Sequence, residues 1–261
     1  MSTGFKKGIS LYILGVYWGA RMDNIISMPT GLILEKMMQR NKIDLKKYFS
    51  RYNISGLELT MAFKNRLYKY KPNKVDLDWI KGLDYVSVHA PFKLVSSSEN
   101  KSEQIRQLDA LDLLYNKVNA KTLVVHVHEC PDEDLLDNYN FNIALENMPI
   151  KEKLNNSEMT NKIAKSKYGF CLDTAHADDF GKTEISKLYE KLGHKLRQMH
   201  LSASIKNKHH KPLTVATKSF LRSLKPVFKS KVPLIMEMAM PSFSKARVNK
   251  EIKYIKKQFV V

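Results

Sequence analysis

The sequence predicts an α/β chain of one domain, spanning 1–261 and folded as a closed (β/α)8 TIM barrel. Three observations lead there. Short apolar runs bounded by polar residues or glycine alternate with segments of helical periodicity. Eight such runs fit within 261 residues, the usual length of one barrel of this kind. The GxGxxG loop expected after the first strand of an open, doubly wound sheet is absent.

The first run is ISLYILG (9–15). It follows lysines, as a leader's apolar stretch would, but Gly15, Tyr17, Trp18 and Gly19 interrupt it and Arg21 closes it, so it reads as a first strand and its loop. Leu32 to Phe49 reads as a helix. SGLELT (55–60) and DYVSVH (84–89) are the second and third strands. The clearest helix follows, from about Glu99 to Asn119, with Ile105, Leu108, Leu111, Tyr115 and Val118 at spacings of three and four. TLVVHVH (122–128) and FNIALE (141–146) come next, then a polar stretch, 147–165, with room for one short helix and a loop. GFCLD (169–173), LRQMHL (196–201) and VPLIME (232–237) are the last three strands. Helical patterns lie at Lys182 to Leu192, Phe220 to Phe228 and Val248 to Phe259.

The composition bounds the setting. A hydrophobic fraction of 43% sustains a full core, and no apolar run is long enough to span a membrane. Only Cys130 and Cys171 are present, so no disulfide framework is expected and the reducing cytoplasm is the default. The formal charge of +18 attracts polyanions, whether nucleic acid or another phosphate-containing substrate, although a lysine-rich composition gives the same balance. No protein partner is evident.

In such a barrel, catalytic residues gather at the C-terminal ends of the strands. The third run ends in His89, the fourth carries His126 and His128, and the fifth ends in Glu146. The sixth ends in Asp173, with His176 just beyond. The seventh has His200, followed by His209 and His210 in its loop, and the eighth ends in Glu237. Of the 8 histidines only His194 lies away from a strand end. Each residue alone has an ordinary explanation, as a hydrogen-bonded rim residue or a helix cap. Together they bring three carboxylates and several imidazoles to one small mouth, where unpaired buried charge is costly. Divalent cations resolve that conflict, and mixed imidazole and carboxylate donors suit Zn²⁺, Mn²⁺ or Fe²⁺. Strand alternation puts His126 and His128 on one face, so the fourth strand offers either. Glu58, in GLEL on the second strand, reads first as a rim salt bridge.

The motifs VHAPF (88–92), LEN (145–147), CLDTAH (171–176), MHL (199–201), HKPL (210–213) and IME (235–237) occur in this order. They resemble the strand-end motifs of the endonuclease IV family, within the xylose isomerase-like barrel superfamily. The resemblance implies a metal-dependent endonuclease that cleaves DNA 5′ to abasic sites with two or three zinc ions, Mn²⁺ being the alternative metal. Carried onto this chain, it implies that His89 and His126 hold a first ion and that Glu146 bridges to a second, which Asp173, His200 and Glu237 complete. It assigns His176 and His210 to a third. Glu146 and Glu237 are the candidate catalytic residues. Phe92, beside the third-strand histidine, and Lys208, in the loop after the seventh strand, are the candidate substrate-binding residues. Lys208 also marks a departure, because the family has an aspartate two residues before its loop-seven histidine. The other large branch of the superfamily, the sugar isomerases and epimerases, implies a different reading. One ion would be held by Glu146, Asp173, His200 and Glu237, with the two glutamates doubling as acid and base.

Overall fold

The computed structural model describes residues 25–40, 43–94, 100–150, 155–206, 208–239 and 243–259. Ten strands occur among them: β1 (Ile26–Pro29), β2 (Gly56–Thr60), β3 (Tyr85–His89), β4 (Thr122–His126), β5 (Ile143–Glu146), β6 (Gly169–Asp173), β7 (Leu196–His200), β8 (Ala203–Ile205), β9 (Lys208–Lys211) and β10 (Leu234–Ile235). Eight of them close a barrel in the order β1-β10-β7-β6-β5-β4-β3-β2, with every pairing parallel. β8 and β9 form a separate antiparallel hairpin. The expected (β/α)8 barrel is therefore the observed fold.

Two expectations change. The run at 9–15 lies outside the described residues, and the first place in the barrel belongs to Ile26–Pro29, between β10 and β2. The helix expected over 32–49 is two helices, Gly31–Gln39 and Leu45–Phe49, the second capped by the Asp44 side chain on the Lys47 N–H at 2.9 Å. The other helices fall close to their expected places, at Lys101–Lys117, Asn156–Lys165, Glu184–Leu192 and Lys245–Phe259. The Phe220–Phe228 pattern splits into Lys218–Ser223 and a 3-10 turn at Lys225–Val227. Short helices at Lys64–Lys69, Lys74–Lys81 and Thr174–Asp178 have too few turns to show a periodic pattern.

Strand alternation builds two environments. Leu57, Leu59, Val86, Val88, Leu123, Val125, Leu145, Phe170 and Leu172 join the main core cluster with side chains of the surrounding helices. The residues between them face the barrel interior. There the filling is polar as much as apolar. Val124, Ala144 and Cys171 form a small cluster of their own. Beside them the Tyr85 hydroxyl is 2.8 Å from Thr122 Oγ1 and 2.7 Å from Gln198 Oε1. The uppermost interior positions, at the C-terminal ends of the strands, are His89, His126, Glu146, Asp173 and His200.

At the opposite end β1, β2 and β3 approach closely at Gly56. A Cβ there would sit 2.0 Å from Ser27 Oγ and 2.9 Å from the Tyr85 carbonyl oxygen. A backbone carbonyl in the ladder cannot retreat. Gly56→Ala is therefore expected to destabilise the barrel by about 1–3 kcal/mol, read as a lower urea midpoint at unchanged slope. An unchanged midpoint would show that the strands spread at no cost.

Candidate metal centre

Each strand-end residue reaches the same small volume by a short local path. Asp173 ends β6 and starts the helix Thr174–Asp178. Its Oδ1 accepts the His176 N–H at 2.7 Å, which caps the helix and turns His176 back toward the barrel axis. Asn147 braces this corner: its side chain bonds the Asp173 N–H at 2.8 Å and the Asp173 carbonyl at 2.9 Å. The Asn147 carbonyl lies 3.0 Å from His176 Nδ1.

The histidines are oriented through the nitrogen that faces away from the centre. His89 Nδ1 donates to the Ala90 carbonyl at 2.8 Å, leaving Nε2 3.0 Å from Glu146 Oε2. A carbonyl only accepts, so it fixes the proton on Nδ1 and presents Nε2 to the site. His210 does the same through the Glu237 carbonyl, 3.0 Å from its Nδ1. His126 Nε2 lies 3.6 Å from Glu146 Oε2. β4 ends at His126, and the chain turns through the 3-10 segment Val127–Glu129, which carries His128 to 3.4 Å from Glu129 instead. Between the two candidates on the fourth strand, His126 is the one beside Glu146.

Two sets of donor atoms result, each within 4.8 Å of one another: His89, His126 and Glu146 in one, and Glu146, Asp173, His200 and Glu237 in the other. Glu146 belongs to both. The charges show the strain of this packing. Burial opposes a charged imidazole at His89, but the hydrogen bond and charge of Glu146 outweigh it and raise His89 to about 9. His126 lacks such a bond, and burial pushes it down to about 3. Burial raises Asp173 above the usual carboxylate range despite His176 and His210 nearby. Glu237 is likewise opposed by burial, but His200 brings it down to about 2. Asp173 Oδ2 is buried and has no hydrogen-bond partner, while Glu237 Oε2 lies 2.7 Å from His200 Nδ1. An orphaned buried carboxylate oxygen, within a cluster of carboxylates and imidazoles, is what a divalent cation would satisfy, so the residues fit Zn²⁺ or Mn²⁺.

His176 and His210 sit beside this centre, ring centroids 5.4 Å apart, with His209 5.7 Å from His176. His209 Nε2 is 2.6 Å from Asp179 Oδ1. Lys208 is exposed on the hairpin. Phe92 stacks face to face on His126 at 5.2 Å, and the more exposed Phe63 meets it edge-on at 6.1 Å. Glu58 departs most from expectation. It is fully buried in the barrel interior, one layer beneath the centre, where its Oε2 is 3.2 Å from His200 Nε2. Gln198 and Asp179 are not marked in the sequence as parts of the site, Asn147 enters it only within the LEN motif, and Glu58 is weighed there as a strand-two glutamate of the isomerase kind but ranked below a rim salt bridge. The signal within reach was position: Glu58 and Gln198 share the interior face of their strands with the strand-end residues.

No protein-family model matches the sequence, and no curated protein sequence matches it. Solved structures do match in fold. A D-tagatose 3-epimerase-like protein superposes with a TM-score of 0.64 at 14% identity, covering 90% of this chain and 96% of the other. Endonuclease IV from Thermus thermophilus gives 0.62 at 13%, covering 90% and 98%. A second Thermus thermophilus protein, soaked with zinc chloride, gives 0.56 at 16%, covering 91% and 98%. The shared fold is thus the closed TIM barrel. At these identities the likeness is one of architecture. No helix among the described residues is long and apolar enough to cross a membrane.

Proposed function

We propose that the protein is a metal-dependent phosphodiester hydrolase that cleaves DNA at abasic sites, with two divalent ions, zinc first, at the mouth of the barrel. The observation that carries this reading is the second donor set. A one-ion isomerase needs only Glu146, Asp173, His200 and Glu237, whereas His89 and His126 extend the centre on the far side of Glu146. A carboxylate shared between two donor sets is the arrangement that two-ion phosphodiester chemistry uses. Bound ions would supply charge to the phosphate oxygens and lower the pKa of an attacking water.

The chain's own residues do the rest. Glu146, 2% exposed at its side chain and central to both sets, orients the attacking water. Glu237, 26% exposed, exchanges protons with solvent. Phe92 and Phe63 offer a stacking edge beside the first donor set, and the lysine-rich surface, Lys208 included, holds the DNA backbone. A third ion beside His176 and His210 would need Asp179 to replace the carboxylate that Lys208 displaces.

The test joins metal content to turnover. Purified protein is expected to carry about two zinc or manganese ions per chain. It is expected to nick a duplex bearing one abasic site, with activity lost to chelation and apparent affinity falling steeply as salt rises. The second reading, a single-ion sugar isomerase or epimerase, draws on the completeness of the Glu146, Asp173, His200 and Glu237 set. One ion per chain, ketose interconversion and no nicking would select it.

A further inference from the structure

His200 is oriented unlike the other histidines of the centre. His89, His176 and His210 each place Nδ1 against a backbone carbonyl, at 2.8, 3.0 and 3.0 Å, and His89 presents Nε2 to Glu146. His200 is reversed. Its Nδ1 points into the site, 3.1 Å from Glu146 Oε1 and 2.7 Å from Glu237 Oε2. Its Nε2 points down into the barrel, where no carbonyl meets it and Glu58 Oε2 lies at 3.2 Å.

The surroundings of Glu58 hold it to this task. The same Oε2 accepts Ser87 Oγ at 2.9 Å and Gln198 Nε2 at 2.8 Å. The Gln198 amide is itself oriented by the Tyr85 hydroxyl, 2.7 Å from its Oε1, so its Nε2 faces His200 Nε2 at 3.0 Å. His200 Nε2 therefore sits between a carboxylate that only accepts and an amide nitrogen that only donates. With the carboxylate present, the charged acceptor wins and Nε2 carries the proton. Nδ1 then turns its lone pair to the centre. Without it, Gln198 donates to Nε2, the proton moves to Nδ1, and that proton blocks the ion.

We propose that Glu58 is a positioning residue for metal binding: it selects the His200 tautomer in which Nδ1 is the ligand atom. This rests on the metal-centre reading above. Glu58 also completes the charge. Glu58, Glu146, Asp173 and Glu237 are four carboxylates around the centre, the number that two divalent cations balance.

The test is Glu58→Gln, titrated with zinc chloride in competition with a chelator, beside melting of the metal-free protein. One of the ions is expected to bind about 10–100-fold more weakly, and the metal-free melting temperature is expected to fall as well, because His200 loses a buried charge partner. Zinc binding like the wild type's would overturn the proposal. So would a drop in metal-free melting with unchanged zinc affinity, which marks a purely structural role. Histidine nitrogen NMR on the zinc-loaded wild type needs no variant. It is expected to show His200 protonated at Nε2 and metal-bound at Nδ1, and the reverse assignment overturns the proposal. A wild type that binds no zinc removes the metal reading itself, a result distinct from a wild type that binds zinc and a variant that binds it equally well.

Discussion

Replacing Glu146 by glutamine is expected to remove both ions at once. The residue is the only one shared by the two donor sets. It also meets His89 Nε2 at 3.0 Å and His200 Nδ1 at 3.1 Å through different carboxylate oxygens. A glutamine keeps one of those oxygens and turns the other into a donor facing imidazole nitrogens that must themselves face a cation. Metal content should fall below one ion per chain. Turnover should fall by at least about 10²–10³-fold, the scale of losing one preorganised electrostatic stabiliser. Elemental analysis beside the nicking assay reads both. A variant that retains two ions, whatever its activity, would show that Glu146 does not bridge them.

Zinc is expected to stabilise the protein strongly and in a pH-dependent way. At a free concentration of about 100 times its Kd, one bound ion adds about 2.7 kcal/mol. For a domain of this size that is a rise of roughly 5–10 °C in Tm, reversed by chelation. The pH dependence follows from the imidazoles. Burial disfavours the charged form of His89 and His200, but Glu146 at His89 and the Glu58, Glu146 and Glu237 charges at His200 raise both, His89 to about 9. In the unfolded chain a histidine titrates near about 6.5. The protonated pair therefore contributes stability to the metal-free protein that is fully present below about 6.5. It is lost as the pH rises through the folded values, about 9 for His89. His126, held down to about 3 by burial, acts oppositely: its contribution is intact above about 6.5 and lost as the pH falls toward about 3. An ion must displace the protons on His89 and His200, so zinc binding releases protons and tightens with rising pH. The gap in Tm between zinc-loaded and metal-free protein should widen between about pH 6 and 8. A gap that stays constant would mean that neither histidine gives up a proton to the ion.

Much of this geometry was legible along the chain because barrel strands alternate. In DYVSVH or GFCLD the residues facing the helices are apolar, and the residue ending the run faces the mouth. His89, Glu146, Asp173 and His200 could be picked out by that rule, and they do converge. The rule fails where an element is too short to repeat. β1 has 4 residues and ends in Pro29. That run shows too few periods to stand out against a longer apolar run such as 9–15, whereas the still shorter β10 is marked by the apolar run 232–237 around it.

The sequence alone determined the class of fold, through the rhythm of strands and helices. It also determined which ionisable side chains end the strands, because local alternation decides which face a residue occupies. Only the tertiary structure decided what those side chains do to one another. Glu58 reads locally as a rim carboxylate. Its partner His200 stands 142 residues away and becomes its neighbour only when β2 and β7 enter the same closed barrel. The choice of His126 over His128 depends on where β4 breaks into a 3-10 turn. The tautomer of each histidine depends on which carbonyl or carboxylate meets its far nitrogen. Hydrogen bonds act over about 3 Å, and distance in space is what a linear chain does not display.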